Sequence, residues 1–444
     1  MKEVTVVGGG LAGCEAAWQA ARHGFQVALY EMRPAKMTPA HRTGDLAELV
    51  CSNSLGSNLP DRALGLLKTE LRRLGSLVVA CADQTAVPAG DALAVGREAF
   101  ARLVTERLAA HPQIRIVREE VRQIPEARPL VIATGPLTSE ALSEALARLT
   151  GEQYLSFYDA MAPIVSGDSI DLQKAFRGSR YGRGHADYIN CPLTEGQYGR
   201  LVGELLEAET IPLRDFEEDE RFFEACLPVE VMARRGRDAL AYGPLRPVGL
   251  TDPRTGQRPH AVVQLRQDDL AGSLYNLVGF QTNLRWSEQE RIFRFIPGLE
   301  QAEFMRFGQM HRNTFINSPA VLGGGLQFKG NSGIFLAGQI TGSEGYVSAV
   351  AGGFLAGTNA VRWVQGRPLL GFPATTMMGA LFGYISSAGA EDFQPMKPNF
   401  GLLPPLGDRV RAKKRRYQAY AQRALQDMEA YVVEVELEHT SEVA

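Results

Sequence analysis

The chain begins with an apolar run, Val4-Thr-Val-Val7, then Gly8-Gly-Gly10-Leu-Ala-Gly13, then an alanine-rich stretch over residues 14–23. An apolar run of strand length, a glycine turn and a helix-like pattern predict a strand, a tight turn and a helix. Gly24 ends the helix, and Phe25-Gln-Val-Ala-Leu-Tyr30 predicts a second strand that closes on Glu31. Farther on, residues 97–110 carry a helical pattern, and residues 114–117 and 129–135 read as strands, the second ending in Ala133-Thr-Gly135. Much later, Gly333-Ile-Phe-Leu-Ala-Gly338-Gln-Ile-Thr-Gly342-Ser-Glu-Gly345-Tyr346 predicts a strand, a glycine-rich turn and a helix of small residues through Ala351, Gly352 and Gly353.

Between residues 151 and 317 the pattern changes. Alternating runs such as Ala261-Val-Val-Gln-Leu265 and Tyr275-Asn-Leu-Val-Gly-Phe280 predict antiparallel strands among helices. Leu77-Val-Val-Ala-Cys81 reads as a strand, Cys191-Pro192 as a helix start, and the segment after Pro368 as proline- and glycine-rich loops leading to a helix over 408–433. No second glycine fingerprint follows a strand in this middle region; Gly182-Arg-Gly184 lacks the apolar run before it.

The first unit places Gly8, Gly10 and Gly13 between strand and helix, with an acid at the end of the next strand. Each position has a task in dinucleotide binding. Gly8 permits the tight turn, Gly10 lets the backbone approach a pyrophosphate, and Gly13 lets the helix pack against the strand. Gly9, Leu11 and Ala12 complete a loop that ends at a helix N-terminus, with free N–H groups and a positive dipole end. Glu31 would accept hydrogen bonds from a ribose. In two-part flavin folds the last sheet strand ends beside the ribityl chain, and the next helix aims its N-terminus at the pyrimidine end of the ring. Gly135, Gly338, Gln339, Gly342 and Gly345 are therefore expected flavin contacts, Gln339 standing where an Asp is commoner. The expected fold is α/β, a Rossmann-like, glutathione-reductase-like FAD-binding domain built from residues 1–150 and 318–444. A mixed α+β substrate domain is inserted at 151–317.

A length of 444 residues calls for more than one core, and 45% hydrophobic with 22% charged residues suits a globular chain. No apolar stretch approaches the roughly 18 residues of a bilayer span, and the first apolar run ends in glycines rather than a cleavage site. A cytoplasmic protein with no membrane partner is expected. The five cysteines, 14, 51, 81, 191 and 226, contain no CxxC pair, which argues against a disulfide framework, a zinc site or a redox dithiol. No metal is expected. With a net charge of −3, any nucleic-acid partner must use local basic patches.

Cys14, Cys81 and Cys191 lie among apolar residues and read as core. Cys51, in Val50-Cys-Ser-Asn-Ser54, stands in a polar, turn-prone segment, and Cys226 is followed by Arg234, Arg235 and Arg237. Neighbouring guanidinium charge favours a thiolate. Lys413, Lys414, Arg415 and Arg416, with Arg409, Arg411, Tyr417 and Tyr420, form a basic, aromatic-flanked cluster; Arg177, Arg180, Tyr181 and Arg183 form a second. Either can be a solvated face or a phosphate-binding surface.

The ordered motifs 8–13, Ala47-Glu-Leu-Val-Cys51-Ser-Asn-Ser54, Glu224-Ala-Cys226-Leu-Pro-Val-Glu-Val-Met-Ala233, Gly243-Pro-Leu-Arg-Pro-Val-Gly249, His311-Arg-Asn-Thr-Phe-Ile-Asn317 and Gly342-Ser-Glu-Gly-Tyr346 make the chain resemble the folate- and FAD-dependent tRNA (uracil-5-)-methyltransferases, TrmFO. The likeness covers nearly the whole length; Ala225, where the family often has glycine, is a mild departure. It implies methylation of the T-loop uridine of tRNA, with carbon from 5,10-methylenetetrahydrofolate, electrons through FAD and NAD(P)H as reductant. It implies three catalytic residues: Cys226 as the nucleophile, Cys51 as a base or second thiol, and Tyr346, which would help place folate or flavin. Asn283, Arg285, Arg312 and Asn313 become expected folate or RNA contacts. A related family that modifies wobble uridines looks longer, with an extra C-terminal helical domain. A flavin oxidoreductase acting on a small molecule, or an RNA-binding protein keeping FAD for structure, remain the alternatives from other classes.

Overall fold

The computed structural model describes residues 3–151, 155–182, 186–211, 227–389, 393–407 and 410–441. Five strands, Ile334–Leu336, Leu130–Ile132, Glu3–Val7, Gln26–Tyr30 and Ile114–Val117, lie side by side in that order. Every neighbouring pair is parallel. Parallel strands are covered on both faces, and so they read as apolar runs rather than alternations; Val4, Val6, Leu29, Val131 and Phe335 are all buried. The edge strand Ile334–Leu336 comes from far down the chain, so one sheet joins its two ends.

The helix Leu11–Arg22 makes the first crossover and packs on the helix Tyr346–Gln365. A Cβ at Gly353 would stand 2.1 Å from the Ala12 carbonyl oxygen. The small-residue pattern is thus the contact surface between the two helices.

A second sheet is antiparallel, in the order Phe176–Gly178, Tyr188–Leu193, Ala261–Gln267, Leu274–Leu277, Ile164–Ser166, Phe304–Arg306. The chain enters and leaves this region through a two-stranded ribbon, Leu155–Ala160 against Met310–Phe315. One large hydrophobic core draws on residues between Val4 and Leu146 and between Phe315 and Met428; the other draws only on residues between Val165 and Ala302.

Four readings of local structure are corrected. Residues 77–84 are a helix, Leu77–Gln84, and not a strand. Ser76 caps it, its hydroxyl accepting from Val79 N at 3.2 Å, and a short run buried on most sides shows no period to decide the matter. Cys191 lies in the strand Tyr188–Leu193; the helix begins after Thr194, which forms a capping box with Gln197. The segment after Pro368 contains a helix, Met377–Ser387, too uniformly apolar to show a polar face. The buried Glu70 carboxylate accepts from Met377 N (2.7 Å) and Met378 N (2.9 Å) at its start. The last helix is Lys413–Ser441 rather than 408–433.

Lys68 is fully buried on the helix Ala63–Arg73, its Nζ donating to the Leu55 carbonyl at 2.7 Å. Burial, with the charge of Arg72, pushes the amine down to about 7. Above that pH the folded amine is neutral while an unfolded lysine keeps its proton to about pH 10.4. The unfolded state then binds more protons, so this group makes stability rise with pH from about 7 to about 10, by up to about 1.4 kcal/mol per unit. Lys68→Met should flatten that part of the curve, which denaturant midpoints at pH 7 and 9.5 would measure.

Candidate flavin cleft and thiol loop

The turn 8–13 has the geometry its sequence demands. Gly8 has φ +108°, and a Cβ there would lie 2.5 Å from the Ala133 carbonyl oxygen. A Cβ at Gly13 would lie 1.7 Å from the Gly8 carbonyl oxygen, so helix and turn touch through backbone. Gly10 differs: nothing lies within 4 Å of its Cβ position. The open side faces a cleft of about 1030 Å³.

All of the expected cofactor contacts except Gly13 and Gly342 border this one cleft. Gly13 is spent on helix packing. Gly342 closes a left-handed turn beneath Phe393, with a Cβ position 2.7 Å from that ring. The helix Leu11–Arg22 makes its first intrahelical bond from Cys14 N to the Gly10 carbonyl, so the N–H groups of Leu11 and Ala12 precede it. The helix Tyr346–Gln365 begins at the same cleft, its first bond running from Ala349 N to the Gly345 carbonyl. Two helix N-termini, from opposite ends of the sequence, therefore meet at one site, an arrangement suited to anionic groups.

Glu31 is more committed than its sequence position implied. Its Oε2 accepts from Gly9 N at 2.9 Å and Arg33 Nη2 at 3.3 Å, and its Oε1 from Arg33 N and Nε, both at 3.0 Å. These engage all of the roughly four acceptor positions of a carboxylate, so a ribose hydroxyl would have to share them with Arg33. Burial works against the charge, but the hydrogen bonds and charge of Arg33 and the Gly9 N–H outweigh it and hold the carboxyl below its ordinary range. Gln339 donates to Glu344 Oε1 at 3.0 Å.

Cys51 sits on a loop at the edge of the cleft, between Val50, which borders it, and Ser52. The phenol oxygen of Tyr346 accepts from Cys51 N at 2.8 Å and from Ser52 N at 3.1 Å. Burial first, and then the neighbouring Cys51, push that phenol well above its ordinary value, so Tyr346 stays neutral. Three arginines hold the same loop. Arg97 donates to the Leu49 carbonyl, Arg306 to the Val50 carbonyl at 3.1 Å, and Arg266 to Ser52 Oγ at 2.6 Å and Asn53 Oδ1 at 2.9 Å. Asn53 is fully buried and ties the loop to Val95 and Gln267 through their carbonyls. Asp268 pairs with Arg97 at 3.0 Å, and Asn276 donates to both Asp268 and Asn53.

Sequence reading missed Arg97, Arg266, Asp268, Asn276 and Arg306. The available signal was the polar end of an otherwise apolar strand, Gln264-Leu-Arg266-Gln-Asp268.

Cys226 and Arg183 lie outside the described residues, as do Asp408 and Arg409. Cys14, Cys81 and Cys191 are buried, and burial raises all three thiols, Cys81 to about 11. Asn283 is turned inward, its amide donating to the Ile211 carbonyl at 2.9 Å, and Arg285 pairs with Glu209 at 2.7 Å. Arg312 and Asn313 stand on the strand Met310–Phe315, opposite Tyr158 and Phe157; their side chains lie outside the described set. Arg180 is half-buried and donates to Gln264 and to the backbone carbonyls of Arg246 and Val248. Lys413 and Arg416 flank the Tyr417 ring at 5.6 and 5.9 Å. Among the described residues no group of side chains is arranged to hold a metal, and no helix is long and apolar enough to cross a membrane.

Comparison with known proteins places this architecture. Residues 3–368 match the family model for glucose inhibited division protein A. The methylenetetrahydrofolate–tRNA-(uracil-5-)-methyltransferase TrmFO of Heliobacterium modesticaldum is 59% identical over 431 residues, covering 97% of this chain and 98% of that protein. Its namesake from Synechococcus sp. JA-3-3Ab is 61% identical, covering 95% of this chain and 94% of that protein. Among solved structures, Aquifex aeolicus GidA superposes with a TM-score of 0.70 at 18% identity, over 98% of this chain and 76% of that one, a likeness of fold. Identity of this size over nearly the full length, with the sheet order and cleft described above, settles the relationship: the chain belongs to the TrmFO family of methylenetetrahydrofolate–tRNA-(uracil-5-)-methyltransferases, within the wider glucose inhibited division protein A family.

Proposed function

We propose that the chain methylates C5 of the T-loop uridine of tRNA in the cytoplasm, using 5,10-methylenetetrahydrofolate as carbon donor, FAD as resident cofactor and NAD(P)H as reductant. The observation that carries this reading is the convergence of two helix N-termini, two glycine turns and the Cys51–Tyr346 contact on one cleft. The cleft fits FAD on its own terms: the vacant Cβ side of Gly10 admits a pyrophosphate, with the N–H groups of Leu11 and Ala12 to hold it. Gly338, Gln339, Gly345 and Tyr346 would meet the ribityl and ring end. When bound and reduced, FAD supplies the hydride that a folate methylene lacks to become a methyl group.

The thiols supply what uracil lacks. C5 is a poor nucleophile until a thiolate adds at C6 and leaves an enolate at C5. Cys226 takes that role. C5 then bonds to the folate-borne carbon as one of that carbon's C–N bonds opens; a base removes the C5 proton, the second C–N bond breaks to release tetrahydrofolate, and once a hydride has completed the methyl group the thiolate leaves C6. Cys51 is the base or second thiol, with its backbone held by Tyr346. We assign residues 1–150 and 318–444 to the FAD-binding domain and 151–317 to the inserted substrate domain.

Labelled methylene carbon tests the reaction: label should reach 5-methyluridine from folate and not from S-adenosylmethionine. The basic start of the last helix is the proposed tRNA surface. Changing Lys413, Lys414, Arg415 and Arg416 together to Gln should weaken tRNA binding and reduce the salt slope by about 2–4 units, because each phosphate contact releases a counterion. Flavin content should stay unchanged. A wild-type affinity and slope would place the tRNA surface elsewhere.

A further inference from the structure

A second hollow, of about 590 Å³, lies on the other side of the segment that carries Ala40 and Arg42. One wall is an aromatic ladder. Trp286 stacks on Phe307 at 5.7 Å and 14°, and Phe307 stacks on Phe304 at 5.4 Å and 14°. Trp286 is 58% exposed, so the ladder ends in an indole face turned to solvent. Burying such a ring would have stabilised the fold by about 1.5–3 kcal/mol, yet the fold leaves it out.

Two arginines, Arg42 and Arg306, line the same hollow. Arg306 is 6% exposed and donates only to neutral acceptors, among them the carbonyls of Val50 at 3.1 Å and Ala40 at 3.4 Å. Neither Arg306 nor the exposed Arg42 has a carboxylate partner among the described residues. The nearby acids are taken: Glu48 by Arg33, Asp268 by Arg97, Glu209 by Arg285 and Glu288 by Arg291. Burial, with the charges of Arg97 and Arg42, pushes Arg306 down to about 10, so it remains a cation at neutral pH. A buried charge without a counter-ion is costly. An arriving anion would remove that cost.

A flat apolar platform beside two guanidinium groups with no carboxylate partner among the described residues is the chemistry of a nucleotide: a base for the ring, a phosphate for the arginines. We propose that this hollow is a subsite for an unpaired loop nucleotide of the RNA substrate, its base stacked on Trp286 and its phosphate held by Arg42 and Arg306. The inference rests on the tRNA reading above. The hollow shares Arg306 with the Cys51 loop, so a nucleotide seated here would fix the position of the neighbouring uridine at the thiols.

The test uses FAD-loaded enzyme, an unmodified tRNA transcript and 5,10-methylenetetrahydrofolate, with binding of each measured separately. Trp286→Ala should weaken tRNA binding about tenfold, the loss expected for one stacked base, and Trp286→Phe should restore most of it. Arg42→Gln, on an exposed position, should lower the salt slope by about one unit. Folate binding and the flavin spectrum should match wild type in all three. Unchanged tRNA affinity in both Trp286→Ala and Arg42→Gln would overturn the subsite. So would a loss of folate affinity with tRNA affinity kept, which would give the hollow to the glutamate tail of folate. Failure of the wild type itself to bind tRNA would instead overturn the functional reading and this one with it.

Discussion

Cys226→Ala should abolish transfer of labelled methylene carbon to the T-loop uridine, by on the order of 10³-fold or more, while the purified protein stays yellow. The size follows from the chemistry. Without a thiolate at C6, uracil C5 has no enolate character, and neither a bound flavin nor a bound folate replaces it. Flavin retention follows from the fold, because the expected flavin contacts lie in residues 8–31, 135 and 338–346. Cys51→Ala should also be severely impaired, but by a different route. Its backbone N–H is held by Tyr346 whatever the side chain is, so the loop should keep its shape and only the sulfur chemistry should go. Near wild-type methylation by Cys226→Ala would give the nucleophile's role to Cys51. Label arriving from S-adenosylmethionine would defeat the functional reading altogether.

The parts of the fold that sequence made legible are those in which local pattern and backbone need coincide. Gly8 needs φ +108°, and Gly13 needs contact with the Gly8 carbonyl, so the letters themselves carry the geometry. The small residues around Gly353 predicted a helix and turn out to be where that helix meets Ala12. The errors fall where burial removes periodicity: residues 77–84 and 377–387 are helices with few polar positions to reveal a face. The arginine network failed for another reason. Arg97, Arg266 and Arg306 lie on a helix and two strands far apart in sequence, and each alone looks like an ordinary charged residue. Only the folded chain shows that all three point at residues 49–53. Glu31 illustrates the opposite hazard: it ends its strand where the motif expects an acid, yet its hydrogen bonds go first to Arg33 and Gly9.

Asp268→Leu should be among the most damaging substitutions outside the thiols, costing about 3–5 kcal/mol of stability, because it leaves Arg97 buried without its counter-ion. Asp268 is 3% exposed and Arg97 is 9% exposed. The pair joins the N-terminal half to the antiparallel sheet: Arg97 begins the helix Arg97–Ala109, and Asp268 follows the strand Ala261–Gln267. Backbone reinforces it, Arg97 N donating to the Asp268 carbonyl at 3.2 Å. Both side chains also hold the thiol loop, Arg97 through the Leu49 carbonyl and Asp268 through Asn276 and Asn53. Loss of the pair should therefore lower methyl transfer more than it lowers flavin content. Arg97→Leu alone removes a cation and leaves the Asp268 carboxylate buried, and should be comparably harmful. The double substitution leaves neither charge, so its stability should recover to within about 1–2 kcal/mol of wild type while transfer stays low. Denaturant midpoints and label transfer on the four proteins separate the two effects. If the double variant also recovers methylation, the pair is only a structural weld; if transfer stays low in a stable protein, Arg97 positions the Cys51 loop for chemistry.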